Sequence, residues 1–343
     1  MRRSVWAVMV AVGVVGCSGR STSSPPPVVA STHDEALEKT LAGIVGAHDG
    51  VVAVSVLHLG TKVRASVHGD AKLPMMSVFK LPLAFVALDA VNRGQHQLDE
   101  PVPFVEADLR KEVSPLSEAW QKGEHAPTLR TVLVRTIQDS DNAGGDRLVS
   151  FLGGGAAITA RLRAAGVLGV DIGEAEIEMF GRLGCPGTPA PTGGWTTVAL
   201  KACPEATSTA RLAAAKAELT ASPNVATTEG LVQMLAVLDT QAFLGPERSQ
   251  WLLDVLAGTK TGPNRLKGKL PAGARVEHKT GTGDTVEGYN ISTNDIGILV
   301  LPSGARVAVA VLTAGSTKEL AGREAVIANL ARAVWDRFAP AAH

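Results

Sequence analysis

Strand-like runs stand at the two ends of this chain, and most of what lies between them carries helical spacing. Val51 to Leu59 is rich in β-branched residues and follows the turn signal Asp49-Gly50. Gly60-Thr61 then leads into a second, alternating run, Lys62 to His68. The pattern returns late in the chain as Arg275 to Thr280, Asp295 to Leu301 and Ala305 to Thr313, the last two joined by the turn Pro302-Ser303-Gly304. A helix precedes the first group, Asp34 to Ala47, and a long amphipathic helix follows the last, Lys318 to Phe338. Runs joined by short turns pair antiparallel. The expected fold is α/β (α+β): an antiparallel sheet built from both chain ends and flanked by helices, with an all-helical lobe inserted. The domain covers 34–343, as an α/β lobe of 34–69 plus 263–343 and a helical lobe of 70–262.

The inserted part reads as follows. A helix starts near Ser77 and continues to about Asn92, with Pro82 making its first turn irregular. Leu98 to Gly123 is mostly loop. Pro127-Thr128 opens a helix with Leu129, Val132, Leu133 and Ile137 at helical spacing, which runs into Asp139-Ser140-Asp141-Asn142. Helices over about Ala143 to Phe151 and Ala156 to Ala165 follow. Val167 to Pro223 is the least regular stretch. It holds the acidic positions Asp171, Glu174, Glu176 and Glu178, a Gly/Pro-rich piece and an Ala-rich, exposed helix, Ala206 to Leu219. Thr227-Thr228 caps a further helix, and Pro246 begins another that stops near Gly258.

The first residues read as a targeting segment. Arg2-Arg3 precedes an apolar run, Val5 to Val15, that is too short to span a bilayer comfortably. Val14-Val15-Gly16-Cys17 resembles a bacterial lipobox, which implies a signal peptide over 1–16 and a lipidated Cys17 as the first mature residue. Ser18 after the cysteine resembles the diderm lipoproteins sorted to the outer membrane. The expected location is therefore exported and periplasmic, with a membrane anchor and a flexible tether over 17–33. Setting Cys17 aside leaves Cys185 and Cys203, an even pair in an exported chain, where a disulfide is plausible and two free thiols are the alternative. Lys plus Arg total 33 and Asp plus Glu total 33, so no basic footprint suggests nucleic acid. The eight His show no ligand spacing, and neither metal nor cofactor is expected.

Three short stretches carry the chemistry. Ser77-Val78-Phe79-Lys80 puts a hydroxyl and an amine on one helical face, three positions apart. Serine needs a neighbouring base, and a lysine held among apolar residues loses its proton more readily. Ser140-Asp141-Asn142 lets a hydroxyl and an amide face one cleft while Asp141 braces the loop. Lys279-Thr280-Gly281-Thr282 lies on a late strand, where the glycine admits a ligand close to the backbone. Each motif alone is weak. As an ordered set they describe an acyl-transfer site for an anionic acyl donor.

With that set, and with Thr261-Gly262-Pro263-Asn264-Arg265-Leu266-Lys267-Gly268, Leu270-Pro271-Ala272-Gly273 and Thr293-Asn294-Asp295, the chain resembles the class A serine β-lactamases, most closely their PER-type group. The resemblance runs from about Asp34 to Phe338 and lapses between Arg182 and Asn224. It implies the serine β-lactamase/penicillin-binding fold, a small-molecule β-lactam as substrate and a monomer. Ser77 would be the nucleophile, with Lys80 helping to take its proton. Ser140 would relay a proton to the departing lactam nitrogen, and Asn142 would bond the substrate side-chain amide. Lys279, Thr280 and Thr282 would bind the carboxylate, Gly281 lying between, and the backbone N–H groups of Ser77 and Thr282 would form the oxyanion hole. Glu176 would activate the water that clears the acyl-enzyme, with Glu174 and Glu178 as rivals two residues either side. The chain departs from the family pattern at several places. Phe180 stands where an asparagine often holds that water, Val113 stands for a rim aromatic, and Lys267 stands for an arginine that supports carboxylate binding. The loop between Arg182 and Asn224 is enlarged. The alternatives are a D-alanyl-D-alanine carboxypeptidase-like acyltransferase and a non-catalytic cell-wall-binding lipoprotein.

Overall fold

The computed structural model describes residues 32–112 and 114–339. The leader over 1–16, Cys17, most of the 17–33 tether and Val113 lie outside the described residues. Asp34 caps α1 (Glu35–Gly46), accepting the Leu37 N–H at 3.0 Å. The hairpin β1 (Val51–His58) and β2 (Arg64–Val67) follows. After β3 (Leu73–Pro74), a 3-10 turn over Met76–Phe79 runs directly into α2 (Lys80–Asn92). Pro82 is tolerated because the first N–H groups of a helix have no intrahelical partner to lose. Every residue of α2 from Lys80 to Val91 is buried, as expected of a helix that is apolar all round.

The helical part continues with α3 (Pro115–Gln121), α4 (Leu129–Gln138), α5 (Asn142–Phe151) and α6 (Gly155–Ala164). The short β4 (Val170–Asp171) leads to α7 (Glu176–Gly184), α8 (Thr197–Lys201) and α9 (Ser208–Ala221). Then come β5 (Val225–Ala226), α10 (Thr228–Asp239) and α11 (Gly245–Ala257). The chain closes with β6 (Arg275–Thr282), β7 (Thr285–Val286), β8 (Tyr289–Val300), β9 (Arg306–Ser316) and α12 (Leu320–Phe338).

The main sheet has the order β2-β1-β9-β8-β6, all antiparallel, with β7 on β8. Strand β1 therefore lies against β9, pairing Val54 with Val311. Alternation along β1 sends Val52, Val54 and Val56 into one core with Leu41 of α1 and Leu330 of α12. Ala53 and Leu57 point the other way, into the core shared with α2 and α10. The sheet made from both chain ends, with helices between them, is thus the architecture observed.

Leu98 to Gly123 is mostly loop, as expected, interrupted by a 3-10 turn at Glu106–Asp108 and by α3, capped by Ser114. Two local expectations need correction. Strand β8 begins at Tyr289 rather than Asp295. Its first half is polar yet buried, because Asn294 Nδ2 donates to the Pro74 and Met75 carbonyls at 2.9 and 3.0 Å and Ser292 Oγ donates to the Thr313 carbonyl at 2.6 Å. The Ala-rich helix is α9, and it is not wholly exposed: Ala215 and Glu218 are buried.

Candidate active site

The junction of the 3-10 turn and α2 sets Ser77 and Lys80 one turn apart, and the lysine Nζ donates to Ser77 Oγ at 2.8 Å. Two residues here hold left-handed backbone without being glycine: Met76, with φ 46°, and Ser140, with φ 60°. Each such conformation costs about 1–3 kcal/mol and persists only where surrounding packing enforces it. At Met76 the packing comes from β6. A Cβ on Gly281 would fall 2.5 Å from the Met75 carbonyl oxygen and 3.0 Å from the Val78 nitrogen, so only glycine lets the strand lie against this turn. Gly145 of α5 does the same for the lysine, since a Cβ there would sit 2.8 Å from Lys80 Cε.

Lys80 is fully buried, yet its partners are polar rather than apolar, which corrects the expected environment. Besides Ser77, Nζ donates to the Ser140 carbonyl at 2.9 Å and to Asn142 Oδ1 at 2.5 Å. Glu176 Oε2 lies 3.0 Å away as an ion pair, at an angle that makes no hydrogen bond, and has no other partner among the described residues. An ammonium has three hydrogens, and all three are used here. Ser77 Oγ, accepting from the lysine, donates its own hydrogen to Glu176 Oε1 at 3.2 Å.

Asp141 faces away from the cleft. Its carboxylate accepts from Ser114 Oγ, Gly144 N and Leu116 N at 3.0, 2.8 and 2.7 Å, fixing the turn that presents Ser140 and Asn142. Burial raises this carboxyl's pKa above the ordinary range, against the pull of those donors. Across the cleft, Lys279 Nζ donates to Ser140 Oγ at 2.9 Å and to the Thr280 carbonyl at 2.8 Å. Complete burial, with the Lys80 charge nearby, lowers the Lys279 pKa well below the usual ammonium range. Thr280 and Thr261 share a hydroxyl hydrogen bond of 2.5 Å.

Of the three glutamates, only Glu176 reaches Ser77. Glu174 is gripped by both terminal nitrogens of Arg182, at 2.8 and 2.6 Å, and Glu178 accepts the Trp195 N–H at 3.1 Å. Glu176 opens α7, whose first N–H groups are capped by Asp146: Oδ1 accepts from Glu176 N at 2.6 Å and Ile177 N at 3.4 Å. Arg110 Nε lies 3.3 Å from the other oxygen of Asp146. Burial pushes the Asp146 carboxyl up to about 7, against the opposing charge of Arg110.

Sequence reasoning missed Asp146, Arg110 and Arg265. It assigned the carboxylate-supporting cation to Lys267, whose Nζ instead reaches the Thr259 carbonyl at 3.4 Å. Arg265 is the residue at the cleft. It donates to Thr282 Oγ1 at 2.7 Å and is held by the Gly281 and Asn294 carbonyls, both at 3.0 Å, and by Glu324 at 3.2 Å. Its guanidinium thus braces the strand end that carries Thr282, with Nη2 alone turned to that hydroxyl. The signal was the polar run Pro263-Asn264-Arg265, two positions ahead of the lysine.

These groups converge on a cleft of about 280 Å³, whose wall also includes Glu112, Met179, Phe180 and Asp284. Phe180 lies under the Arg110 guanidinium, 5.1 Å from ring centre to Cζ. Beyond α7 the enlarged loop is closed by a Cys185–Cys203 disulfide, with Cα atoms 5.8 Å apart. Arg182 ties it to α9 through Glu218, at 2.7 and 3.2 Å. A larger groove of about 630 Å³, lined by Leu37 of α1 and Arg332 of α12, holds none of these residues.

Residues 36–338 match the model of the family described as "Beta-lactamase enzyme family". Among named relatives, the chain is 27% identical over 323 residues to the extended-spectrum β-lactamase PER-1 of Pseudomonas aeruginosa, covering 94% of this chain and 91% of that one. It is 25% identical over 316 residues to β-lactamase VEB-1 of the same organism, covering 91% and 93%. Among solved structures, a β-lactamase from Chitinophaga pinensis superposes with a TM-score of 0.73 at 30% identity, over 88% of this chain and 99% of that one. The TLA-3 extended-spectrum β-lactamase superposes at 0.74 and 28%, over 88% and 98%.

Proposed function

The chain belongs to the β-lactamase enzyme family, and on that premise we propose how its own residues open a β-lactam and release the product. It is a serine β-lactamase of class A type. Ser77 Oγ attacks the lactam carbonyl. Its proton leaves toward Glu176 Oε1, the acceptor it already faces at 3.2 Å. Lys80 helps as a fixed cation: with three acceptors and a carboxylate around Nζ, its hydrogens hold the serine oxygen as charge develops there. The backbone N–H groups of Ser77 and Thr282 receive the oxyanion. As the C–N bond breaks, Ser140 Oγ gives a proton to the lactam nitrogen and is resupplied through Lys279, 2.9 Å away. The proton that Glu176 took from Ser77 passes on to replace the one Lys279 gives, so Glu176 is a carboxylate again before deacylation. Lys279, Thr280, Thr282 and Arg265 bind the substrate carboxylate, and Asn142 the side-chain amide.

Deacylation returns through the same carboxylate. A water oxygen bonds to the acyl carbon and its proton passes to Glu176. The ester C–O bond then breaks, and Ser77 regains the proton. The observation that carries this reading is one serine oxygen placed between Lys80 Nζ and Glu176 Oε1. Family membership and that contact favour the hydrolase over the carboxypeptidase-like and non-catalytic readings. Glu176→Gln tests the assignment: mixed with a penicillin, it accumulates acyl-enzyme, read as a mass increase by the intact substrate. Steady turnover without such a species would remove Glu176 from the step.

The location is likewise proposed. Val14-Val15-Gly16-Cys17 supports a lipid anchor at Cys17 in the outer membrane, and the Cys185–Cys203 pairing suits an oxidising compartment. Cys17→Ser is expected to leave the membrane fraction, and unchanged fractionation would refute lipidation there. Light scattering on the soluble domain checks the proposed monomer.

A further inference from the structure

We propose that this enzyme feeds Glu176 with water through a second, small cavity on the far side of the carboxylate from the cleft. The proposal rests on the reading of Glu176 as the deacylation base. The cavity admits water-sized occupancy of about 10 Å³, close to what a single water requires. It is bounded by Glu174, Glu176, Ser222 and Asn224 on its polar side and by Met76, Phe79 and Met179 on its apolar side. Glu176 and Met179 line both this cavity and the main cleft. They stand three positions apart, on one face of α7, so a single helical turn forms the partition.

Three further observations point to water at this place. Glu176 is 5% exposed; its Oε1 is taken by Ser77, and its buried Oε2 is ion-paired with Lys80 at 3.0 Å but accepts no hydrogen bond among the described residues, which leaves it a lone pair for a water. A buried carboxylate oxygen without a donor is costly, and a water satisfies it. Asn224 spends its Oδ1 on the N–H groups of Gly173 and Glu174, at 2.9 and 3.2 Å, and one Nδ2 hydrogen on the Glu174 carbonyl at 3.0 Å. Its second Nδ2 hydrogen is left to offer. On the cleft side, Phe180 presents carbon where an amide would be needed to hold a water, and its ring is occupied by Arg110. The polar partners that Phe180 lacks are supplied from behind, by Ser222 and Asn224.

In the deacylation step the water moves past the α7 turn onto the acyl carbon. Its proton goes to Glu176, and the cavity refills from the α9 side. The test fills the cavity without touching the cleft. Ser222→Leu and Ser222→Val occupy the space, and Ser222→Ala preserves it. Acylation and deacylation rate constants are measured separately by stopped-flow and by mass spectrometry of the acyl-enzyme, with Glu176→Gln alongside. The expected result is deacylation slowed about tenfold in the Leu and Val variants, acylation unchanged, and acyl-enzyme accumulating at steady state. Two variants are used so that a folding failure in one leaves the other to decide. Parent-like deacylation in the filled variants, with Glu176→Gln trapped, overturns the cavity and leaves the base in place. Parent-like deacylation in Glu176→Gln overturns the base assignment and the cavity with it. Acylation and deacylation falling together would mean that Ser222 acts on the fold alone, which also overturns the proposal.

Discussion

Replacing Asp146 by asparagine is expected to make the protein more stable above neutral pH and to leave it nearly unchanged in acid. The carboxyl is buried between α5 and the start of α7, beside Arg110, and is pushed from the ordinary 3.8 up to about 7. A folded-state pKa above the unfolded one means that the folded chain holds the proton over the interval between them. Stability from this group is therefore complete below pH 3.8 and is lost as pH rises through about 7. That interval corresponds to about 4 kcal/mol. Asparagine keeps an oxygen for the Glu176 and Ile177 N–H groups but has no proton to lose, so its contribution is flat with pH. Denaturant unfolding of parent and variant at pH 4 and pH 8 reads the difference, since titrating groups remote from Asp146 cancel. The two should agree at pH 4, with the variant ahead by several kcal/mol at pH 8. A pH-independent difference would refute the desolvated carboxyl. A parent that gains on the variant with rising pH would mean that the Arg110 pair outweighs burial.

Other outcomes test the cleft residue by residue. Ser77→Ala should lose both turnover and covalent labelling by penicillin, and labelling that survives would remove Ser77 as nucleophile. Arg265→Lys keeps the charge but loses the planar donor set that bonds Thr282 and the Gly281 and Asn294 carbonyls together, so KM should rise about tenfold with kcat little changed; an unaltered KM would say that the substrate carboxylate does not depend on it. Lys279 binds as a cation, and its burial lowers the pKa below the ordinary 10.5, so kcat/KM should fall on an alkaline limb well before that pH. A profile flat to pH 10 would contradict it. Gly281→Ala drives a methyl against the Met75 carbonyl 2.5 Å away, and should lower stability by about 1–3 kcal/mol and kcat with it; a folded, fully active variant would show that the strand has room to retreat.

The features legible in sequence were those with a local code. The ordered triplet placed Ser77, Lys80, Ser140, Asn142 and Lys279, because spacing on a helix or loop fixes which side chains share a face. The apolar strands at the ends announced the sheet. Polar burial was illegible. Asn294 and Ser292 look like loop residues until their partners are known: the Pro74 carbonyl, far back in the chain, and the Thr313 carbonyl on the neighbouring strand. The same limit hid Arg265 behind Lys267, since both are basic and only the fold shows which one meets Thr282. It also hid Asp146, whose work is to cap a helix that begins thirty residues later. In α9 an alanine-rich composition masked a single buried glutamate, and Arg182 supplies the reason for it.

The pairing of β1 with β9 also governs when this protein can fold. Val54 meets Val311, so the middle of the sheet does not exist until the chain is almost complete. Closing so long a loop precedes any return from the contacts it makes, and topologies of this kind form slowly. During synthesis, the helical segments emerge with one wall of their core missing, because Ala53 and Leu57 have no settled sheet to belong to until β9 arrives. The export proposed above would gain from that delay, which keeps the chain threadable until its last strand is made. The same dependence makes the C-terminal end indispensable, since a chain cut before β9 lacks the strand that joins the two halves of the sheet.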